Sequence, residues 1–388
     1  MVRKTRLFVE AGSLAEPRAS GVGHAARSII EALLKNKTFS EQYEIILIVA
    51  YNKTQYIDEA LRARAKVAKL YVPGKIMNGL TRFNLMPPMD IVFGKGVYLF
   101  PNFKNWPLAR SPSLTYIHDV YFRVEPRHIQ PRNLSFLERN IKRIIHRATR
   151  IITVSAHGKS EIEKYYPRSR GKVTVVPNGI ERERFSPQAK SVQEAVCQRY
   201  RITPGKYFMF LSNIEPRKNI ERVLEAYEIF LRKTPGNHDI ALLLVGGMGW
   251  NNDAVLARIE QLRKEGMRII IPDHYVPDED IPALLSGAIA LVHPALYEGF
   301  GITPLEAMAC GIPVIVARNS SIPEVVGDSY TAYVDAYSSQ SIASRMQHIV
   351  EAGSSAAEIA DGMKRAALFT WERSAEVFLE VLESIDTQ

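Results

Sequence analysis

Short apolar runs and amphipathic stretches alternate along nearly the whole chain. In the first half, TRLFVEA, YEIILIVAY, VYLFPN, SLTYIHDV, RIITVSA and KVTVVPN have the length and β-branched content of strands buried on both faces. Between them GHAARSIIEALL, LSFLERNIKRIIHRA and GKSEIEKYY place apolar residues at helical spacing. The alternation starts afresh after about Lys206. YFMFLSN, DIALLLVGG, RIIIPDH, IALVHPA and PVIVAR read as strands, and NIERVLEAYEIFLRK, NDAVLARIEQLRKEG, DIPALLSGA and LEAMACG as the helices that follow them. Strand–helix alternation predicts parallel sheets with helices on both faces, and the restart predicts two of them.

The expected fold is therefore α/β, with two tandem Rossmann-like, doubly wound domains facing across a cleft. The first spans residues 1–185 and the second residues 200–369. The polar stretch from Ile180 to about Lys206, with Ser186-Pro187, connects them. The closing segment FTWERSAEVFLEVLESI is helical in pattern, so residues 370–388 either pack on the second domain or cross back to the first. Ligands of such sheets bind outside the carboxyl ends of the strands, which makes the cleft the expected site.

A length of 388 residues suits two domains, and 46% hydrophobic with 23% charged residues is an ordinary globular composition. Cys197 and Cys310 fit no metal or redox spacing and read as core residues in a reducing compartment. The first residues read as a strand, without a long apolar run or cleavage site, and no apolar run is long enough to span a bilayer, so neither secretion nor membrane spanning is expected and a cytoplasmic protein is. The sequons at Asn36 and Asn52 are then incidental. Charge changes this picture. Residues 1–185 hold 32 Lys/Arg against 15 Asp/Glu, and the remainder 18 against 26. A basic half beside an acidic half implies that the first half alone meets a polyanionic surface. The helical stretch from Asn133 to Arg150 carries Arg139, Lys142, Arg143, Arg147 and Arg150 on one face. Its plain reading is a core helix with a solvated basic face. The sharper one is peripheral docking on the anionic inner face of the plasma membrane.

Four constellations carry chemistry. In HPALYEGFGITPLEAMACGIPVIV, Glu298 precedes Gly299-Phe300-Gly301, and Glu306 lies within the helix that follows. A glycine-flanked loop ending in a helix N-terminus presents N–H groups and a positive dipole end to an anion. In LSNIEPRKNIERVLEAY, Arg217 and Lys218 stand between a strand and a helix, where two cations neutralise a diphosphate. Alone, they also read as solvated surface charges. Gly21 and Gly23 open a helix after the first strand and let backbone approach a phosphate, without completing a dinucleotide fingerprint. His118-Asp119 ends a strand with no further His/Asp cluster to make a metal site. Asp278-Glu279-Asp280 spells a metal-binding D-x-D, but it precedes a helix and reads as capping.

Together these strings resemble the retaining, GT-B-fold glycosyltransferases of family 4, mannosyltransferase-like members included. Glu298 and Glu306 match the E-x7-E signature with its trailing EAMA-x-G-x-PV. ITVSAHGKSEI, VVPNGI and SSIPEVVG add to the likeness, which is scattered from about Gly21 to Trp371. The resemblance implies that Glu298 holds the transferred sugar and Glu306 the ribose hydroxyls. It places the N–H groups of Phe300, Gly301 and Ile302, after Gly299, at sugar and phosphate. Lys218 becomes the main diphosphate contact, His118 a cleft residue near the reacting sugar, Gly21 and Gly23 the G-V-G loop, and Tyr275-Val276 the nucleotide-base contact. His118, Glu298 and Lys218 are thus the expected catalytic group.

The chain departs from the pattern where many members carry a further Arg upstream of Lys218; here that stretch is Ser212-Asn213. The implied co-substrate is a nucleotide sugar, GDP-mannose by likeness, with no cofactor and no metal. The implied acceptor is a glycan or lipid-linked sugar of bacterial envelope synthesis. A UDP-sugar-dependent enzyme of the same fold and a non-catalytic sugar-nucleotide- or glycan-binding homologue remain alternatives. Nucleic acid is not an expected partner, because the basic half lacks interleaved aromatic motifs or a binding module.

Overall fold

The computed structural model describes residues 4–16, 21–72, 76, 79–80, 85–247, 249, 252–328, 330 and 332–386. The chain divides into two compact units, residues 1–179 with 371–388, and residues 180–370.

The first unit is built on a parallel sheet of seven strands: β1 (Thr5–Glu10), β2 (Tyr43–Ala50), β3 (Lys66–Leu70), β4 (Val97–Phe100), β5 (Ser113–Tyr116), β6 (Arg150–Thr153) and β7 (Val173–Val175). Their order is β3-β2-β1-β4-β5-β6-β7. Leu7 of β1 lies between Ile45 of β2 and Val97 of β4, so the order reverses at the β1–β4 pair. All four residues of β4 and of β5 are buried, as strands covered by helices on both faces require. β3 has no apolar run: KVAKL is an edge strand with Lys66 and Lys69 exposed, a pattern that suits an edge and escapes a search for buried strands. The helix Trp371–Asp386 packs on the helix Gly21–Lys35 of this unit, with Phe378 and Leu382 fully buried, and Ser374 Oγ donates to Pro177 O at 2.6 Å.

The second unit holds β8 (Tyr207–Leu211), β9 (Ala241–Val245), β10 (Ile269–Ile270), β11 (Ala290–His293) and β12 (Val314–Val316), all parallel, in the order β10-β9-β8-β11-β12. Here the order reverses at the β8–β11 pair. The core around Phe208, Phe210, Tyr227 and Phe230 is fully buried. The segment 180–185, expected with the first domain, belongs to this unit. Ile180 N donates to Phe369 O at 3.1 Å, and Arg184 Nη2 donates to Asp278 O at 2.6 Å.

The carboxyl ends of β8 and β9 pass close to each other at a glycine. Gly246 has φ +146°, and a Cβ there would lie 2.0 Å from Ser212 O. Gly246→Ala must therefore move backbone as well as adopt a strained φ, at a cost of about 3 kcal/mol. The expected result is an apparent melting temperature lower by roughly 6–12 °C, measured by differential scanning fluorimetry.

Candidate active site

In the second unit, the loops that leave β8 and β11 meet at the reversal of strand order, where open α/β sheets bind ligands. The loop after β8 contributes Glu215 and, in the short 3-10 turn Pro216–Lys218 that follows it, Arg217 and Lys218. Asn219 follows in the left-handed region at φ 64°, and the helix Ile220–Lys233 begins there. Asn219 ties this loop to its neighbours by donating from Nδ2 to Pro294 O at 2.9 Å and Ala336 O at 2.7 Å. A left-handed Asn suits a sharp turn, and the tie aims Lys218 towards β11.

Glu298 is the centre of the site. Its side chain is buried, and its Oε1 accepts from the ammonium of Lys218, itself only 8% exposed. His293 Nε2 lies 2.5 Å from the same oxygen, and Arg217 Nη1 lies 3.5 Å from Oε2. Burial opposes ionisation of Glu298, yet Lys218, His293 and Arg217 together hold its carboxyl well below the usual range. Burial lowers the Lys218 ammonium and the His293 imidazole, while Glu298 raises both. The loop backbone is fixed as well. Glu298 N donates to Ser320 Oγ at 2.9 Å, and Ser321 Oγ donates to Glu298 O at 2.8 Å and Phe300 O at 2.9 Å. Gly301, at φ 104°, turns the chain into the helix Ile302–Ala309, and no side chain caps that helix at Gly301. A Cβ on Gly301 would lie 2.8 Å from Ile322 Cδ1, the end of a side chain that can turn away, so it is the positive φ that calls for glycine here. The Phe300 ring packs edge-on against Phe369 at 5.7 Å.

Glu306 follows in that helix, half-buried, and faces a different set of charges. Burial pushes its carboxyl up to about 8, against a downward pull from Arg184 and with Glu181 and Asp278 adding to the rise. Asp278 Oδ1 accepts from the exposed Tyr275 hydroxyl at 2.8 Å, and Val276 beside it is buried. Glu306, Arg184 and the Tyr275–Asp278 turn therefore share one electrostatic neighbourhood.

In the first unit, His118 follows β5 and stacks on Tyr116 with ring centroids 5.4 Å apart. Its Nε2 lies 2.9 Å from Pro101 O, and burial holds the imidazole below its ordinary pKa despite that contact and nearby Asp119. Asp119 Oδ1 accepts from Tyr121 N at 3.0 Å and so shapes the turn. Gly21 and Gly23 open their helix as expected, and a Cβ on Gly21 would meet nothing within 4 Å; residues 17–20 of that loop lie outside the described residues. Of the basic face, Arg139 and Lys142 are exposed, whereas Arg147 reaches back to Asn105 O at 3.5 Å.

One expectation needs correcting. Asp280 stands at the N-cap of the helix Ile281–Ser286 but makes no capping bond. Arg199 and the Tyr200 hydroxyl instead hold its two oxygens at 2.8 and 2.6 Å. Among the described residues no three His, Cys, Asp or Glu side chains are grouped to hold a metal ion. Sequence reasoning assigned no role to His293, although it is the last residue of β11 and opens the Glu298 string. Ser320 and Ser321 were equally unassigned.

Residues 194–366 match the family described as glycosyl transferases group 1, and residues 77–184 match Glycosyltransferase Family 4. The O-antigen chain mannosyltransferase B of Escherichia coli is 32% identical over 282 residues, covering 71% of each chain. The chain belongs to glycosyltransferase family 4. A GDP-mannose-dependent phosphatidylinositol monomannoside mannosyltransferase of Mycolicibacterium smegmatis is 29% identical to this glycosyltransferase over 41% of its length and 42% of the relative's. Among solved structures, HepE of Anabaena in complex with UDP and glucose superposes with a TM-score of 0.74 at 17% identity, over 98% of this chain and 100% of that one. Sucrose-phosphate synthase of Thermosynechococcus elongatus does so with 0.72 at 20% identity, over 99% and 100%. The fold is GT-B.

The raised carboxyl of Glu306 links stability to pH. Between about 4.5 and about 8 the folded glycosyltransferase keeps this proton while the unfolded chain releases it, so the group's contribution declines as pH rises through that window. Glu306→Gln should flatten the fall in melting temperature from pH 5 to 8 relative to wild type. Parallel curves for the two proteins would show that Glu306 titrates in its ordinary range.

Proposed function

We propose that this glycosyltransferase moves mannose from GDP-mannose, with retention of anomeric configuration and without a metal ion. The acceptor is a glycan or lipid-linked sugar of bacterial envelope polysaccharide or glycolipid synthesis. The observation that carries the reading is the buried Glu298 carboxylate held against Lys218, Arg217 and His293 at the reversal of strand order. Likeness to mannosyltransferases supports mannose as the sugar.

In this reading the donor diphosphate takes over the Lys218 ammonium and the Arg217 guanidinium, beside the uncapped start of the Ile302–Ala309 helix. Charge builds on the leaving phosphate oxygen as the glycosidic bond breaks, and fixed cations in a dry site stabilise it without reorganising. Glu298, relieved of part of its ion pair, accepts from sugar hydroxyls and positions the anomeric carbon. The acceptor hydroxyl attacks from the face that the phosphate leaves, and the departing oxygen takes its proton. Glu306 accepts from the ribose hydroxyls, and Tyr275-Val276 meets the base. His118 is assigned to the reacting sugar by family likeness alone. Arg217 stands in for the Arg that Ser212-Asn213 lacks; Asn213 Oδ1 instead accepts from Gly247 N at 3.0 Å. The exposed Arg139, Lys142 and Phe136 of the helix Pro131–Arg147 rest on an anionic membrane surface where a lipid-linked acceptor is presented.

The test is a thermal-shift and transfer screen with GDP-, UDP-, ADP- and dTDP-sugars in the presence of EDTA. GDP and GDP-mannose should raise the melting temperature, and Lys218→Ala should abolish the shift. A response to UDP-sugars alone would replace the donor, and no response to any nucleotide would favour a non-catalytic homologue. Glu298→Gln should retain the fold and lower kcat by roughly a hundredfold or more. Sedimentation with anionic liposomes should fall with added salt and with Arg139→Glu/Lys142→Glu. Equal sedimentation with neutral liposomes would sink the membrane reading.

A further inference from the structure

His293 closes β11 and sets its imidazole on the same Glu298 oxygen that accepts from Lys218, with Nε2 2.5 Å from Oε1. Sheet pairing fixes its backbone, because His293 is in register with Val316 of β12. The residue is only 1% exposed. Its Nδ1 is buried and meets no hydrogen-bond partner among the described residues. That orphan bears on the protonation state. The ionised Glu298 carboxylate only accepts, so Nε2 carries the proton of this contact. A second proton on Nδ1 would make a buried N–H with no described group to accept it. Burial, helped by Lys218 and Arg217, holds the imidazole below its ordinary pKa against the pull of Glu298. His293 is therefore a neutral donor anchored in the sheet. Its two companions are cations on long side chains, both carried by the Pro216–Lys218 turn, and Arg217 is shared with Glu215 at 3.2 Å.

That difference matters once a diphosphate arrives. Its oxygens compete with Glu298 for the two cations, whereas a short neutral side chain on a paired strand neither gains as much from phosphate nor can follow it. We infer that His293 is the positioning residue that keeps the Glu298 carboxylate in place while the donor diphosphate draws Lys218 and Arg217 away. Without it, Glu298 would be a buried charge with the two cations as its main support, and releasing them to the ligand would leave that charge uncompensated. Glu298 would then hold Lys218 back from the diphosphate. A neutral donor avoids this without cancelling the negative charge that Glu298 turns towards the sugar. The inference deepens the proposed transfer reaction and rests on it, since it requires a diphosphate at Lys218.

The experiment is a double-mutant cycle on nucleotide affinity. GDP and UDP are titrated calorimetrically into the full chain as wild type, His293→Leu, Glu298→Gln and the double variant. With Glu298 present, His293→Leu should weaken the tighter of the two nucleotides by roughly tenfold, because Glu298 then retains Lys218. With Glu298→Gln, the same change should cost less than about threefold, because no buried charge remains to be held. His293→Gln, whose amide nitrogen can stand where Nε2 does, should recover most of the affinity. A histidine that only fills space would lower affinity equally in both backgrounds, and that additivity overturns the inference. Should His293→Leu not fold, the His293 Nε2–H resonance of histidine-labelled wild type carries the test, assigned by its absence from His293→Gln. The resonance should persist when the nucleotide is bound; its loss, or conversion of the ring to imidazolium, overturns the inference. If neither GDP nor UDP binds the folded wild type, the transferase reading falls and the inference with it. Nucleotide binding with an additive cycle removes the inference alone.

Discussion

A carboxylate withdrawn from water loses several kcal/mol of solvation and keeps its charge only where cations or donors replace the water. Glu298 meets that condition with an ammonium, a guanidinium and an imidazole, none of which comes from its own loop. Each must be delivered by another part of the second unit. The Asn219 tie fixes the Lys218 loop, the last residue of β11 supplies His293, and the serines at 320 and 321 hold the Glu298 backbone. Removing any one leaves a buried charge less compensated. The pair is therefore a weak source of stability and a strong constraint on geometry.

Topology explains why such pairs can form. In a parallel sheet, every strand delivers its following loop to the same edge. Where the order reverses, two loops diverge to opposite faces and leave room between them. The β8–β11 junction receives Lys218 and Glu298, and the β1–β4 junction receives Lys104 and Glu10. In both, an acid and a base that are far apart in sequence meet because adjacent strands are in register, and no local pattern brings them together.

This also sets what was legible beforehand. Strands buried on both faces announce themselves as apolar runs, and both sheets were visible that way apart from β3, whose lysines belong to an edge. Glu298, Glu306, Arg217 and Lys218 were visible because glycine turns and helix starts flank them, and family likeness carried the rest. The partners of Glu298 were less visible. His293 reads as the last residue of an apolar strand, and Ser320 and Ser321 as an ordinary turn. Asp280 misled because helix-start chemistry is local, whereas its true partners, Arg199 and Tyr200, are about eighty residues away. Glu10 sits at the end of an apolar run and gives no local hint that Lys104 waits across the junction.

The two Glu–Lys pairs differ in one physical respect. Lys218 is buried with Glu298, so its field is weakly screened and acts strongly on charge that develops nearby. Lys104 is half exposed, and water and salt damp its field within a short distance. A charge-building step gains from the first environment and little from the second.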